Sequence, residues 1–174
     1  RCFMHKEREL LKAIVVLPGT VLIFIPGGIL YFTGSVYFLC GLSLPLAWFP
    51  LGAGILMIMT GLAVAVKAVS LFFIEGDGTP APWAPPRRFV VHGPYAYVRN
   101  PMLLSVLAIL LGEAIVLGSF PILVWWALFW AINTFYFMFF EEHDLMKRFG
   151  NDYMEYKKHV RRWIPRLTPW SPGR

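Results

Sequence analysis

Residues 101–140 read PMLLSVLAILLGEAIVLGSFPILVWWALFWAINTFYFMFF, and Glu113 is the one charged side chain among them. A short turn, Gly118-Ser119-Phe120-Pro121, divides the stretch. At 1.5 Å per residue the two halves extend roughly 27 and 31 Å as helices, close to the ~30 Å hydrocarbon core of a bilayer. The spacing predicts an antiparallel helical hairpin that leaves and re-enters one membrane face. It therefore brings the residues before Pro101 level with those after Phe140.

The rest of the chain supports a bilayer rather than water. Of 174 residues, 57% are hydrophobic and only 15% charged, with a mean hydropathy of +0.60. Residues 13–66 carry no Asp, Glu, Lys or Arg. Four apolar runs emerge at residues 11–32, 48–73, 101–117 and 121–140. The second exceeds the bilayer core and is expected to tilt or protrude. The fold class read from the sequence is an all-α membrane protein. It has about four transmembrane helices plus a short amphipathic cytoplasmic segment near the C-terminus, in a single polytopic domain over residues 1–174. Residues 33–50 are apolar but broken by Gly34, Gly41, Pro45 and Pro50, which predicts an outer loop or a re-entrant segment.

Sixteen Lys and Arg against ten Asp and Glu give a net charge of +6. The positive charge sits before residue 13, in the loop 75–100 and after Glu142, with none between the first two runs. That is the pattern of the positive-inside rule. It places both termini and the central loop in the cytoplasm, beside anionic headgroups, and gives no reason to invoke nucleic acid. A multi-pass integral membrane protein fits. The first run leads into more membrane protein, so it is not read as a cleaved signal. Cys2 and Cys40 have no Cys-x-x-Cys or paired Cys/His spacing, so neither a disulfide nor a metal site is expected.

Polar chemistry concentrates at the hairpin's two ends. One is His92-Gly93-Pro94-Tyr95-Ala96-Tyr97-Val98-Arg99-Asn100-Pro101-Met102; the other begins Glu141-Glu142-His143-Asp144. Asn100-Pro101 reads as a cap followed by a proline in the first helical turn. A helix N-terminus beside Arg99 favours an anion. Glu141 and Glu142, at the end of the last span, call for a cation. That cation is either a salt-bridging Arg99, Arg87 or Arg88, or the ammonium of a zwitterionic ligand whose carboxylate lies on Arg99. Tyr95 and Tyr97 could stack on an aromatic ring or face a cation. Beyond Phe149, Gly150 reads as a helix stop, and Asp152 with Glu155 as a capping box. Tyr153, Tyr156 and Val160 form an apolar face, and Pro165 ends the segment. Residues 76–88, rich in Pro and Gly around Trp83, read as a linker or as a lid over the site. Lys67 reads as snorkelling, Glu113 as structural near the outer face, and Asn133 as bonding to another helix.

Gly-Pro-Tyr-x-Tyr-Val-Arg-Asn-Pro-Met, the Glu-Glu pair and the tail Phe-Gly-x-x-Tyr…Tyr…Val…Trp-Ile-Pro together resemble the integral-membrane methyltransferases. These are the isoprenylcysteine carboxyl methyltransferases and the phospholipid N-methyltransferases, in particular a compact prokaryotic branch. The resemblance covers residues 76–165. It implies an S-adenosyl-L-methionine-dependent methyltransferase whose cofactor contacts are His92, Gly93, Tyr95, Tyr97, Arg99, Asn100, Pro101, Glu141 and Glu142, with Arg99 and Glu142 the catalytic candidates. The implied partners are membrane lipids and a lipidic or membrane-soluble acceptor that presents a carboxylate or an amine. Asn100 stands where the isoprenylcysteine enzymes usually have His, and Leu103 where they usually have Tyr, which puts a prenyl-cysteine acceptor in doubt. Two rivals remain: an NAD(P)H-dependent membrane reductase related to sterol reductases, whose corresponding motif has a His after the Arg, and a non-enzymatic membrane scaffold.

Overall fold

The computed structural model describes residues 18–34, 45–74 and 89–171. Among the described residues the chain is helical, with no strand. A π-turn, Thr20–Phe24, leads into helix α1 (Ile25–Thr33); then come α2 (Trp48–Ile74), a 3-10 turn (Gly93–Ala96) and α3 (Pro101–Leu117). Helix α4 (Phe120–Tyr136), a second π-turn (Phe137–Glu141) and α5 (Glu142–His159) complete the chain. The expected lid around Trp83, both cysteines, Arg87, Arg88 and residues 11–17 lie outside the described residues.

Among the described residues two helices meet the length and apolarity needed to cross a membrane: residues 48–71 of α2 and the continuous run Phe120–His159. Their apolar windows are only 17% and 6% buried. A core helix of a soluble protein would be mostly covered, so these faces require a lipid solvent. The other two expected spans are shorter. The first apolar helix is described from Thr20 to Thr33, and α3 has 17 residues, below the ~20 that span a bilayer without local adjustment.

Helices α2 and α3 form the structural centre. Their antiparallel crossing is set by glycines two turns apart, Gly54 and Gly61, with Gly112 opposite. A Cβ on Gly112 would lie 2.7 Å from the Gly54 carbonyl oxygen, and one on Gly61 would lie 2.9 Å from the Ser105 carbonyl oxygen. Only hydrogen fits at these points, so the backbones touch, and dispersion between them replaces a driving force that lipid cannot supply. Helix α4 is pinned to this pair by its tryptophans. Trp126 Nε1 donates to the Leu107 carbonyl at 3.0 Å, and Trp125 Nε1 to that of Val21 at 3.3 Å. The second acceptor lies in the first π-turn.

Several local readings need correction. The helix of the fourth span continues past Phe140. The Glu142 backbone N–H bonds to the Phe137 carbonyl, five residues back, and the helix runs on. Glu141 and Glu142 are therefore not at a helix terminus, and no dipole acts against them. Gly150 does break the helix, at φ 53° and ψ −125°. The segment beyond it stops at His159, well before Pro165, because Val160 turns to φ −111°, ψ 125° and the chain doubles back. Asn133 bonds its own helix at the Phe129 carbonyl, 2.8 Å away, because the i−4 carbonyl is the nearest acceptor in an apolar setting.

Candidate functional site

The hairpin geometry delivers what the spacing predicts at one point: Arg99 Nη1 donates to Glu142 Oε1 at 2.8 Å. Glu142 is 4% exposed, and two further cations reach it. Arg162 donates through Nε at 3.0 Å and through Nη2 to Oε1, and Lys157 Nζ lies 2.7 Å from Oε2. Burial alone would push the Glu142 carboxyl up. Bonds from Lys157 and Arg162 and the charges of Arg99 and Arg162 reverse that, and the group is held below its ordinary 4.5. Three cations around one carboxylate leave two positive charges in excess.

The C-terminal tail builds the other wall. After Val160 it runs antiparallel to residues 96–99. Arg99 N donates to Arg161 O, Arg166 N to Tyr97 O and Trp170 N to Ala96 O, each at 2.9 Å. Below this lacing, Tyr153, Tyr156 and Val160 are buried against Val91 and Phe89, the apolar face that the heptad-like spacing predicts. The Tyr156 hydroxyl donates to the Tyr95 carbonyl at 2.6 Å. Burial pushes the Tyr153 phenol up to about 12, assisted by the charge of Glu142 and opposed by Arg99.

The other anticipated residues divide. Gly93 holds φ +58°, and a Cβ there would sit 2.6 Å from Leu71 Cδ1, so the turn needs glycine both to bend and to dock on α2. Lys67 runs past the same turn. Tyr95 is 5% exposed and packs with Ala68, Val90 and Met102, so its ring belongs to the core rather than to a ligand face. Tyr97 is 37% exposed and His92 is exposed; both flank the cluster. Pro101 is buried in the first turn of α3. Asn100 makes no side-chain cap bond, contrary to the expectation, since at φ −119°, ψ 63° it lies outside the extended conformation in which a cap reaches back. Glu141, next to Glu142 in sequence, points elsewhere. It lines an open groove of ≈ 390 Å³ with Tyr136, Phe140, His143, Asp144 and Lys147. Its carboxyl is pushed up by burial and by Asp144, with Arg148 partly offsetting.

Three donors at this end of the molecule are buried without an acceptor: Arg99 Nε, Asn100 Nδ2 and Trp163 Nε1. Buried donors are nearly always paired in a finished structure. With the surplus positive charge and an uncapped helix start, Arg99 and Asn100 form a site short of acceptor atoms and of negative charge. A carboxylate or a phosphate supplies both.

Sequence reasoning missed Lys157 and Arg162 as members of the site, and Trp163 beside it. Only the density of basic residues after Glu142 hinted at the first two. The amino-acid sequence matches the family model described as phospholipid methyltransferase over residues 49–152, an interval that includes all but the first residue of α2, the whole of α3 and α4, and Glu142. No curated protein matches the chain.

Proposed function

The chain belongs to the phospholipid methyltransferase family, and from that premise we propose that it transfers a methyl group from S-adenosylmethionine to a lipidic or membrane-soluble acceptor, at a carboxylate or an amine. The supporting observation is the set of acceptorless donors, Arg99 Nε and Asn100 Nδ2, inside a cluster with surplus positive charge. The carboxylate of an amino-acid moiety suits it. When bound, S-adenosylmethionine supplies a methyl group already activated on a sulfonium.

The protein's part is then modest. Arg99, Asn100 and the start of α3 would hold the cofactor's carboxylate, and His92 and Tyr97 stand at the edge of the same site. Glu142 acts as a positioning residue, because its oxygens are engaged by Arg99, Arg162 and Lys157. It fixes Arg99 in place rather than touching the reacting atoms. A carboxylate acceptor needs no base, whereas an ammonium acceptor must lose a proton before the methyl transfer. Alignment and exclusion of water do the rest. In this reading four segments cross the membrane, the termini and the site face the cytoplasm, and the acceptor enters sideways from the bilayer.

The test is thermal stabilisation of the purified protein by S-adenosylhomocysteine and, separately, by NADPH, since a ligand that binds the folded state raises its melting point. Stabilisation by the first alone, together with methyl transfer to a lipid extract, supports the proposal; stabilisation by NADPH alone moves the chain to the reductase reading. Topology is tested by cysteine labelling. Variants at Thr79 and Ser171 should react only from the cytoplasm and one at Ser35 only from outside. Labelling of Thr79 and Ser171 from opposite sides overturns the four-span arrangement.

A further inference from the structure

A groove of ≈ 250 Å³ opens between α2, α3 and α4. Leu104, Leu107 and Leu111 supply one face of α3, Trp126 and Trp130 face them from α4, and Trp163 closes one end. The lining is aliphatic apart from the indoles of Trp126, Trp130 and Trp163. Leu104 to Leu111 is seven residues, so the groove runs roughly 10 Å down the α3 axis. Trp163 must sit at the charged end, because Arg161, two residues earlier, is bonded through its carbonyl to the Arg99 N–H, and α3 begins at Pro101. The backbone bonds of Arg161 and Arg166, on either side of Trp163, hold it there.

The two kinds of indole in this groove differ. Trp126 Nε1 already donates to the Leu107 carbonyl at 3.0 Å. Trp163 Nε1 is buried and has no acceptor. We propose that Trp163 is a specificity-determining residue for a membrane-resident acceptor: the groove takes one apolar chain, and the Trp163 N–H donates to the first oxygen at the polar end of that chain. The volume falls below the ~300 Å³ at which compact drug-sized ligands begin, which suits a single chain, with the rest of the lipid outside the groove. Water is not a natural occupant, since an apolar cavity stays dry. The chain gains little over the bilayer it leaves, so selection falls on the one directional contact. Bound in this way, the polar end of the acceptor lies beside Arg99 and Asn100, where the proposed reaction takes place. The inference rests on that reaction for its consequence, and on the groove alone for its occupancy.

Two measurements separate these dependencies. The first incorporates the full chain in lipid nanodiscs containing a phospholipid with a photoactivatable diazirine on its acyl chain, and maps the cross-links by mass spectrometry. Cross-links within residues 104–111 and at Trp163, reduced at least threefold by Leu111→Phe, are expected. The second compares Trp163→Phe, which keeps an aromatic ring but loses the pyrrole half of the indole with its N–H, with the unmodified protein in methyl transfer to a membrane-resident acceptor. KM should rise at least fivefold with kcat nearly unchanged, and affinity for S-adenosylhomocysteine should not move. Cross-links confined to the outer surfaces of α2 and α4, or a Trp163→Phe variant with unaltered KM, overturn the inference even if methyl transfer is robust. A labelled groove in a protein that methylates no lipid class keeps the groove and overturns the reaction instead.

Discussion

Glu141 and Glu142 are adjacent in the chain and face different surroundings. The inner side is closed. Its helices touch at Gly54, Gly61 and Gly112, and its carboxylate holds three cations. The outer side is open: Phe139 and Phe140 are 59% and 67% exposed, and Gly52 has nothing within 4 Å of where a Cβ would be. Residue type does not distinguish the two sides, since each has a glutamate and glycines. What differs is whether the surroundings can yield. Lipid and water rearrange around the outer side, whereas helix backbone and buried charge do not rearrange around the inner one.

Matched substitutions can break this contrast. The largest effect is expected from Glu142→Gln, which leaves Arg99 and Arg162 facing each other with no counter-charge. Loss of a buried partner of this kind costs about 3–5 kcal/mol of stability, read as a lowered melting temperature. Binding of S-adenosylhomocysteine should weaken more than tenfold, about 1.4 kcal/mol or more. Glu141→Gln should change stability by less than about 0.5 kcal/mol. A double variant that keeps full cofactor affinity removes both acids from the site.

Next in size is the glycine pair. Gly112→Ala forces a methyl against the Gly54 carbonyl and should cost about 1–3 kcal/mol. Gly52→Ala, in the same crossing but facing outward, should be neutral or stabilising by up to about 1 kcal/mol. Equal effects in a denaturation series would show that the α2–α3 seam is looser than its distances imply.

Smaller effects come from pH. The Glu142 carboxyl lies below its ordinary 4.5 in the folded state. Its stabilisation is therefore complete above pH 4.5 and is lost as pH falls through the folded value. Glu141 is shifted upward, so its ionisation costs stability, and acid relieves that cost. Glu142→Gln should flatten the acid limb of the stability curve, and Glu141→Gln should raise stability slightly at neutral pH and not at all in acid. On the alkaline side Tyr153, at about 12 in the folded state against 10.0, stays neutral while its unfolded counterpart ionises. Stability should fall above pH 10, and Tyr153→Phe should remove part of that fall. Opposite signs for either pair would put the glutamates in the wrong environments.

The helical frame was legible where local signals decide it. Pro101 and Gly118 bracket α3, and the α2 run was read to within a residue of its end, because apolarity and helix breakers are local. So was the inward face of Tyr153, Tyr156 and Val160. The meeting of Arg99 with Glu142 followed from counting residues around a hairpin. What failed depends on contacts distant in sequence. Gly54 pairs with Gly112 only once a crossing angle is chosen. Lys157 and Arg162 reach Glu142 only because the chain reverses at Val160. The reversal itself is stabilised by backbone bonds to residues 96–99, which leave no trace in side-chain pattern.

The π-turn at Phe137–Glu141 can be restated in terms of insertion and deletion. A turn closed five residues back holds one residue more than an α-turn, so this helix carries a supernumerary position just before Glu142. Removing Phe139 would let the turn relax to α-helical spacing while Glu142 keeps its bearing on Arg99. Removing a residue from the regular stretch of α4 would instead rotate everything downstream by roughly 100°, one residue's share of a 3.6-residue turn. The chain thus tolerates a change of length at one place near its site, and that place is where the inner and outer glutamates diverge.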